Sequence, residues 1–136
     1  MSQRVDQFCD RLREQLNAIE GRIQSVKTDV QALPAKAGKA LRDKRDEART
    51  KVEAQKERVE KARADLKVWG EQKVAETKEA ISEWKAKRET RKLQARADRS
   101  EAYAEAAVLL ALASIDEAEE AILDAVAARK DADAAQ

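Results

Sequence analysis

The side chains of this sequence able to do chemistry are a set of carboxylates, one thiol and a run of cations. None of them comes with the partners that chemistry needs. Glu101, Glu105 and Glu119 fall on one stripe of a helix, as the ligands of di-iron bundles do, but those centres use Glu-x-x-His pairs. The chain contains no histidine, so the commonest general acid and base is missing as well. Cys9 is the only cysteine, which rules out an intrachain disulfide and every zinc-ligand pattern. No glycine-rich phosphate loop and no nucleophile elbow is present. The expectation is a non-enzymatic protein with no catalytic residues, cofactor or metal. The three glutamates are expected to face Lys or Arg on the basic second helix. Cys9 falls within an apolar stripe and reads as a small buried hydrophobe, not as a reactive thiol, which needs exposure beside positive charge.

The cations concentrate in residues 85–99, where Lys85, Lys87, Arg88, Arg91, Lys92, Arg96 and Arg99 meet only Glu89 and Asp98. Such a run can contact phosphates of nucleic acid or of an anionic membrane. It lacks the interleaved aromatics that stack bases, and its charges spread around a helix. A solvated face, partly neutralised by an acidic segment elsewhere, is the plainer reading. The most apolar run, residues 106–115, is flanked by Glu101, Glu105, Asp116 and Glu117. Interfacial membrane helices carry Lys and Arg there instead, so packing against protein is favoured. That run is also far shorter than the roughly 20 residues of a spanning helix. The N-terminal residues lack the apolar core of a signal peptide. A soluble, cytoplasmic protein is expected.

The elements that must position these groups follow from composition. The 136 residues include only three glycines and one proline, 40 % are charged, and 3 % are aromatic. Alanine accounts for 28 of the 58 apolar residues, too few large side chains for a thick core but enough for narrow seams between long helices. Charge is uneven. Residues 1–34 are neutral, residues 35–100 carry net +8, and residues 101–136 carry net −7.

Periodicity places the helices. Val5, Cys9, Leu12, Leu16, Ile19, Ile23, Val26, Val30 and Leu33 are separated by alternating gaps of four and three, as in a heptad seam. This predicts a helix over residues 2–33, stopped by Pro34, with a turn at 34–38. A second seam runs Leu41, Arg45, Ala48, Val52, Gln55, Val59, Ala62, Leu66 and Trp69 with the same gaps. Folded at the turn, the two stripes match as an antiparallel hairpin that pairs Leu16 with Val59 and Ile23 with Val52. Leu66 and Thr77 are eleven apart, a stutter, with the helix continuing through Gly70 and on through Thr77, Ile81, Trp84 and Arg88. One long helix over 39–98 is therefore expected, then a cap at Asp98 or Ser100 and a third helix over 100–129. Its seam runs through Glu101, Glu105, Val108, Leu112, Ile115, Glu119, Ile122 and Val126. Residues 131–136 are expected to form a frayed tail.

The expected architecture is all-α. It is an elongated antiparallel coiled coil, a single domain over residues 1–130, with a long central helix and a shorter helix folded back on each half. Leu109 and Leu123 widen the third helix's apolar surface and Leu110 projects from its other side, which suggests a homo-oligomer interface, a dimer in the simplest case. In composition the chain resembles bacterial phasins and apolipoprotein-like amphipathic helices, and its eleven-residue spacing resembles that of late-embryogenesis proteins. The expected function is a homo-oligomeric coiled-coil scaffold or adaptor, with another protein as a further partner. The alternative is a surface-binding module that uses residues 85–99 on nucleic acid, an anionic membrane or a storage granule.

Overall fold

The computed structural model describes residues 3–135; the expected helix start at Ser2 and the last tail residue, Gln136, lie outside them. Among the described residues the regular structure is all helix, in the order α1 (Gln3–Ala32), a 3-10 turn (Leu33–Ala35), α2 (Gly38–Val74), α3 (Lys78–Ala86) and α4 (Thr90–Ala134). Pro34 occupies the first turn of the 3-10 segment, where its missing N–H costs nothing. The Lys36 N–H closes that turn on the Leu33 carbonyl at 3.1 Å, and extended backbone at Ala37 admits α2.

The expected single helix over 39–98 is broken twice. At the first break Thr77 leaves the seam and becomes the N-cap of α3, its hydroxyl accepting from the Ala80 N–H at 3.1 Å. Glu79 lies in that first turn, where negative charge suits the helix dipole. At the second break α3 ends on Arg88, whose φ of 54° is the only positive value among the described non-glycine residues. The Glu89 N–H reaches back to the Trp84 carbonyl at 2.9 Å, and the Arg88 N–H to Lys85 at 3.3 Å. This is a Schellman ending with arginine where glycine is usual. The helix does continue through Gly70. The cap expected at Asp98 or Ser100 is absent, because both residues lie inside α4. The 45 residues of α4 span roughly 68 Å at 1.5 Å per residue, and they include all but the end of the expected frayed tail.

The longest helix is thus α4, and it is also the spine. Both α1 and α2 pack on it, and α1 meets α2 far less. Ion pairs give the directions. Arg4 with Asp98, Arg11 with Glu105 and Arg22 with Asp116 are each 94 residues apart, so α1 runs parallel to α4 at constant register. Arg45 with Asp124, Arg49 with Glu120 and Gln55 with Asp116 descend along α4 as α2 ascends, so α2 is antiparallel to it. The expected pairing of the first and second seams is therefore corrected: α4 takes the place beside α2 that α1 was expected to hold.

The reason lies in how the stripes are used. Every residue of the second seam, from Leu41 to Trp69, is buried or half-buried, as expected, but against α4. On α1 the covered stripe is Phe8, Leu12, Gln15, Ile19, Arg22, Val26 and Asp29, turned by about 50°, half the angle between successive residues, from the expected one. α4 has two adjacent stripes, one through Glu105, Leu112 and Glu119 and one through Ala113, Asp116, Leu123 and Ala127. It can therefore face two neighbours.

The densest packing lies by the first turn. Leu33 (1 % exposed), Leu41 (0 %), Ala48 and Leu123 (3 %) form the core cluster, with Ile122 and Val126 against it. The Lys130 ammonium donates to the Pro34 and Lys36 carbonyls at 3.1 and 2.5 Å, tying the end of α4 to the turn. Farther along, the buried positions are mostly alanines, Ala62 and Ala113 beside Val59. Small side chains let the helices approach closely.

Candidate functional site

Where three helices meet, one carboxylate is enclosed. Asp116 is 3 % exposed, the one buried charged residue among those described. It accepts from Arg22 Nε on α1 at 2.9 Å and from Gln55 Nε2 on α2 at 2.9 Å, and Lys51 Nζ of α2 stands 3.4 Å away. A second nitrogen of Arg22 donates to Glu119 at 2.5 Å. Burial alone would lower the pKa of Arg22, but the hydrogen bonds and charges of Glu119 and Asp116 outweigh it and raise the value. The guanidinium forks across two carboxylates one helical turn apart, as its rigid geometry allows. The network fixes register, since sliding either helix by one turn would strand a buried charge. It ties α1 and α2 to α4.

Glu105 and Glu119 pair with Arg11 and Arg22 of α1, which corrects the expectation that they face the second helix; Glu101 is half-buried on α4. Among the described residues no three acidic or cysteine side chains converge as metal ligands.

The basic stretch does not form one face. Lys85, Lys87 and Arg88 end α3, and Arg91, Lys92, Arg96 and Arg99 open α4 on the other side of the bend. Lys87 pairs with Glu83 at 2.6 Å and Lys92 with Glu89 at 3.4 Å, and Arg99 pairs with Glu76. The bend supplies aromatics that the local sequence lacks. Lys92 Nζ lies 5.9 Å from the centre of the Trp84 ring. Arg96 and Arg99 join Lys73, Glu76, Trp69 and Tyr103 around an open cleft of about 210 Å³, in which the Trp69 and Tyr103 rings are 6.3 Å apart.

Of the three leucines expected at an oligomer interface, Leu123 belongs to the core and Leu109 lines a small cleft with Val59 and Leu112 of the α2–α4 seam. Leu110 is half-buried on α4. An uncovered apolar row lies on α1 instead. That helix has no fully buried residue. Leu16 is 55 % exposed, Ile23 51 % and Val30 36 %, and Cys9 on the same row is exposed, which corrects its expected burial. Val5 is exposed too, whereas Leu12, Ile19 and Val26 are half-covered by α4. The seam is therefore split lengthwise, one row turned inward and one outward.

Two features are not marked by the periodicity. Asp116 stands in the sequence as a flanking charge of residues 106–115, although an acid amid apolar residues at helical spacing signals a buried polar contact. Gln15 lies on the covered stripe of α1 with its side-chain oxygen buried and unpartnered by protein. No helix among the described residues is long and apolar enough to cross a membrane. No protein-family model, curated protein or solved structure matches the chain.

Proposed function

We propose that this chain is a non-enzymatic scaffold or adaptor that works by helix-to-helix association, with a homodimeric coiled coil as its basic assembly. The observation that carries this reading is the outward row of α1. Cys9, Leu16, Ile23 and Val30 recur every seven residues along one line, and all four are exposed. Scattered surface leucines need no explanation, but a straight apolar row along a helix is the pattern of a seam awaiting a partner. Sedimentation equilibrium of the full chain at micromolar concentration tests it. The expected mass is twice the 15.2 kDa of the chain, and apolar association persists in high salt. A mass of 15.2 kDa throughout would overturn the homo-oligomeric reading.

A second reading has an observation of its own. The cleft beside Trp69 and Tyr103 sets Lys73, Arg96 and Arg99 against the single acid Glu76, a surface suited to a polyanion. Retention on a polyphosphate matrix that falls steeply with rising salt, with no change of mass, would put the surface-binding function first.

A further inference from the structure

The exposed row of α1 has a neighbour that specifies how a second copy would lie on it. Asp6, Arg13, Glu20 and Lys27 also recur every seven residues. In heptad terms they occupy the row adjoining Leu16 and Ile23 on the side away from the covered stripe. All four are exposed, and their signs alternate along the helix. Arg13 makes only a loose 3.8 Å contact with Asp10. A row of this kind is self-complementary in one direction.

We infer that two copies of this chain pair through α1 antiparallel to each other about a two-fold axis beside Leu16. The inference deepens the self-association proposed above and rests on it. With Leu16 over the partner's Leu16, Cys9 meets the partner's Ile23. Asp6 comes beside the partner's Lys27, and Arg13 beside the partner's Glu20, so all four charges find opposite signs. A two-fold contact repeats each pair. Shifting the second copy by one heptad brings Glu20 beside the partner's Glu20 and Arg13 beside the partner's Lys27, which is repulsive throughout. A parallel, in-register pair sets each charge level with its own copy. Charge pattern thus selects direction and register, as flanking charges do in coiled coils, while the apolar row supplies the attraction.

Cysteine cross-linking under mild oxidation reads the geometry directly. Along an antiparallel seam the two Cys9 thiols are 14 residues from alignment, roughly 21 Å at 1.5 Å per residue, beyond disulfide reach. The natural chain therefore stays uncross-linked, and so does Ile23→Cys in a Cys9→Ala background. Ile23→Cys with Cys9 retained gives a disulfide-linked dimer. Charge reversal adds a second readout. Arg13→Glu alone and Glu20→Arg alone each weaken the dimer by roughly tenfold, and the two together restore it. A dimer in which Cys9 cross-links to itself overturns the antiparallel geometry and leaves the scaffold reading standing. So does a dimer indifferent to both reversals but broken by Leu110→Gln. A chain that sediments as a monomer overturns both.

Discussion

Replacing Asp116 by alanine removes the carboxylate that accepts from Arg22 and Gln55 and pairs with Lys51. Breaking a buried ion pair typically costs about 3–5 kcal/mol, and the geometry here argues for less. Arg22 keeps Glu119 at 2.5 Å, so the guanidinium is not stranded. The Lys51 side chain is 46 % exposed and regains water. The Gln55 amide loses its acceptor, and a space opens between three helices. The expected loss is about 2–3 kcal/mol, a fall in melting temperature of roughly 8–12 °C for a chain of this size. Asp116→Leu offers the control. It removes the same acceptor without opening a space, so it should recover the cavity part of the loss and still be less stable than the natural protein, because Gln55 stays unpaired. Urea unfolding followed by circular dichroism measures both. A loss below about 0.5 kcal/mol for Asp116→Ala, the range of ordinary surface changes, would mean that the three-helix junction is not formed as described.

Leu41, fully buried in the core cluster, should lose about 2–4 kcal/mol on change to alanine. Leu16→Ala, at concentrations too low for association, should cost under about 1 kcal/mol, and equal losses in urea titrations would restore the α1–α2 hairpin. A Cβ at Gly70 meets nothing within 4 Å, so Gly70→Ala should be neutral or raise stability by up to about 1 kcal/mol, as thermal unfolding would show. Arg88→Gly relieves the left-handed conformation at φ 54° and should stabilise by about 0.5–1 kcal/mol after the extra freedom glycine brings to the unfolded chain. A lower melting temperature would place that strain elsewhere.

Much of the helical fold is legible in the sequence, and its reach has a physical limit. The scarcity of glycine and proline, with apolar residues alternating four and three apart, leaves a helix as the one arrangement that gathers those residues on a side. The stop at Pro34 is equally direct. The α2 seam from Leu41 to Trp69 can be read residue by residue because its polar members, Arg45 and Gln55, still fit the alternation. Partner choice is not legible in the same way. Any two stripes with this spacing match each other, so the agreement of the first with the second carried no information against the third. On α1 the more apolar row misled. The row that meets α4 includes Gln15, Arg22 and Asp29; Arg22 finds its partners in Asp116 and Glu119 of α4, and Asp29 finds Lys44 of α2. The bend at Arg88 has no local signal, since the left-handed ending is usually marked by glycine or asparagine. Thr77 did carry a signal, a hydroxyl followed by an acid in the next turn, but its position on the expected seam concealed it. The polar cluster around Asp116 depends on residues 94 and 61 positions apart, a proximity that only the fold creates.

The central claim is that α1 turns an apolar row outward for a second copy. Sedimentation velocity of Ile23→Glu against the natural chain, at one micromolar-range concentration, tests it most directly. Ile23 is 51 % exposed in the single chain, so a charge there leaves the fold intact by circular dichroism while obstructing the seam. The natural chain should sediment at twice 15.2 kDa and the variant at 15.2 kDa, with helix content unchanged. A natural chain that stays monomeric, or a variant that associates as strongly as its parent, would contradict it.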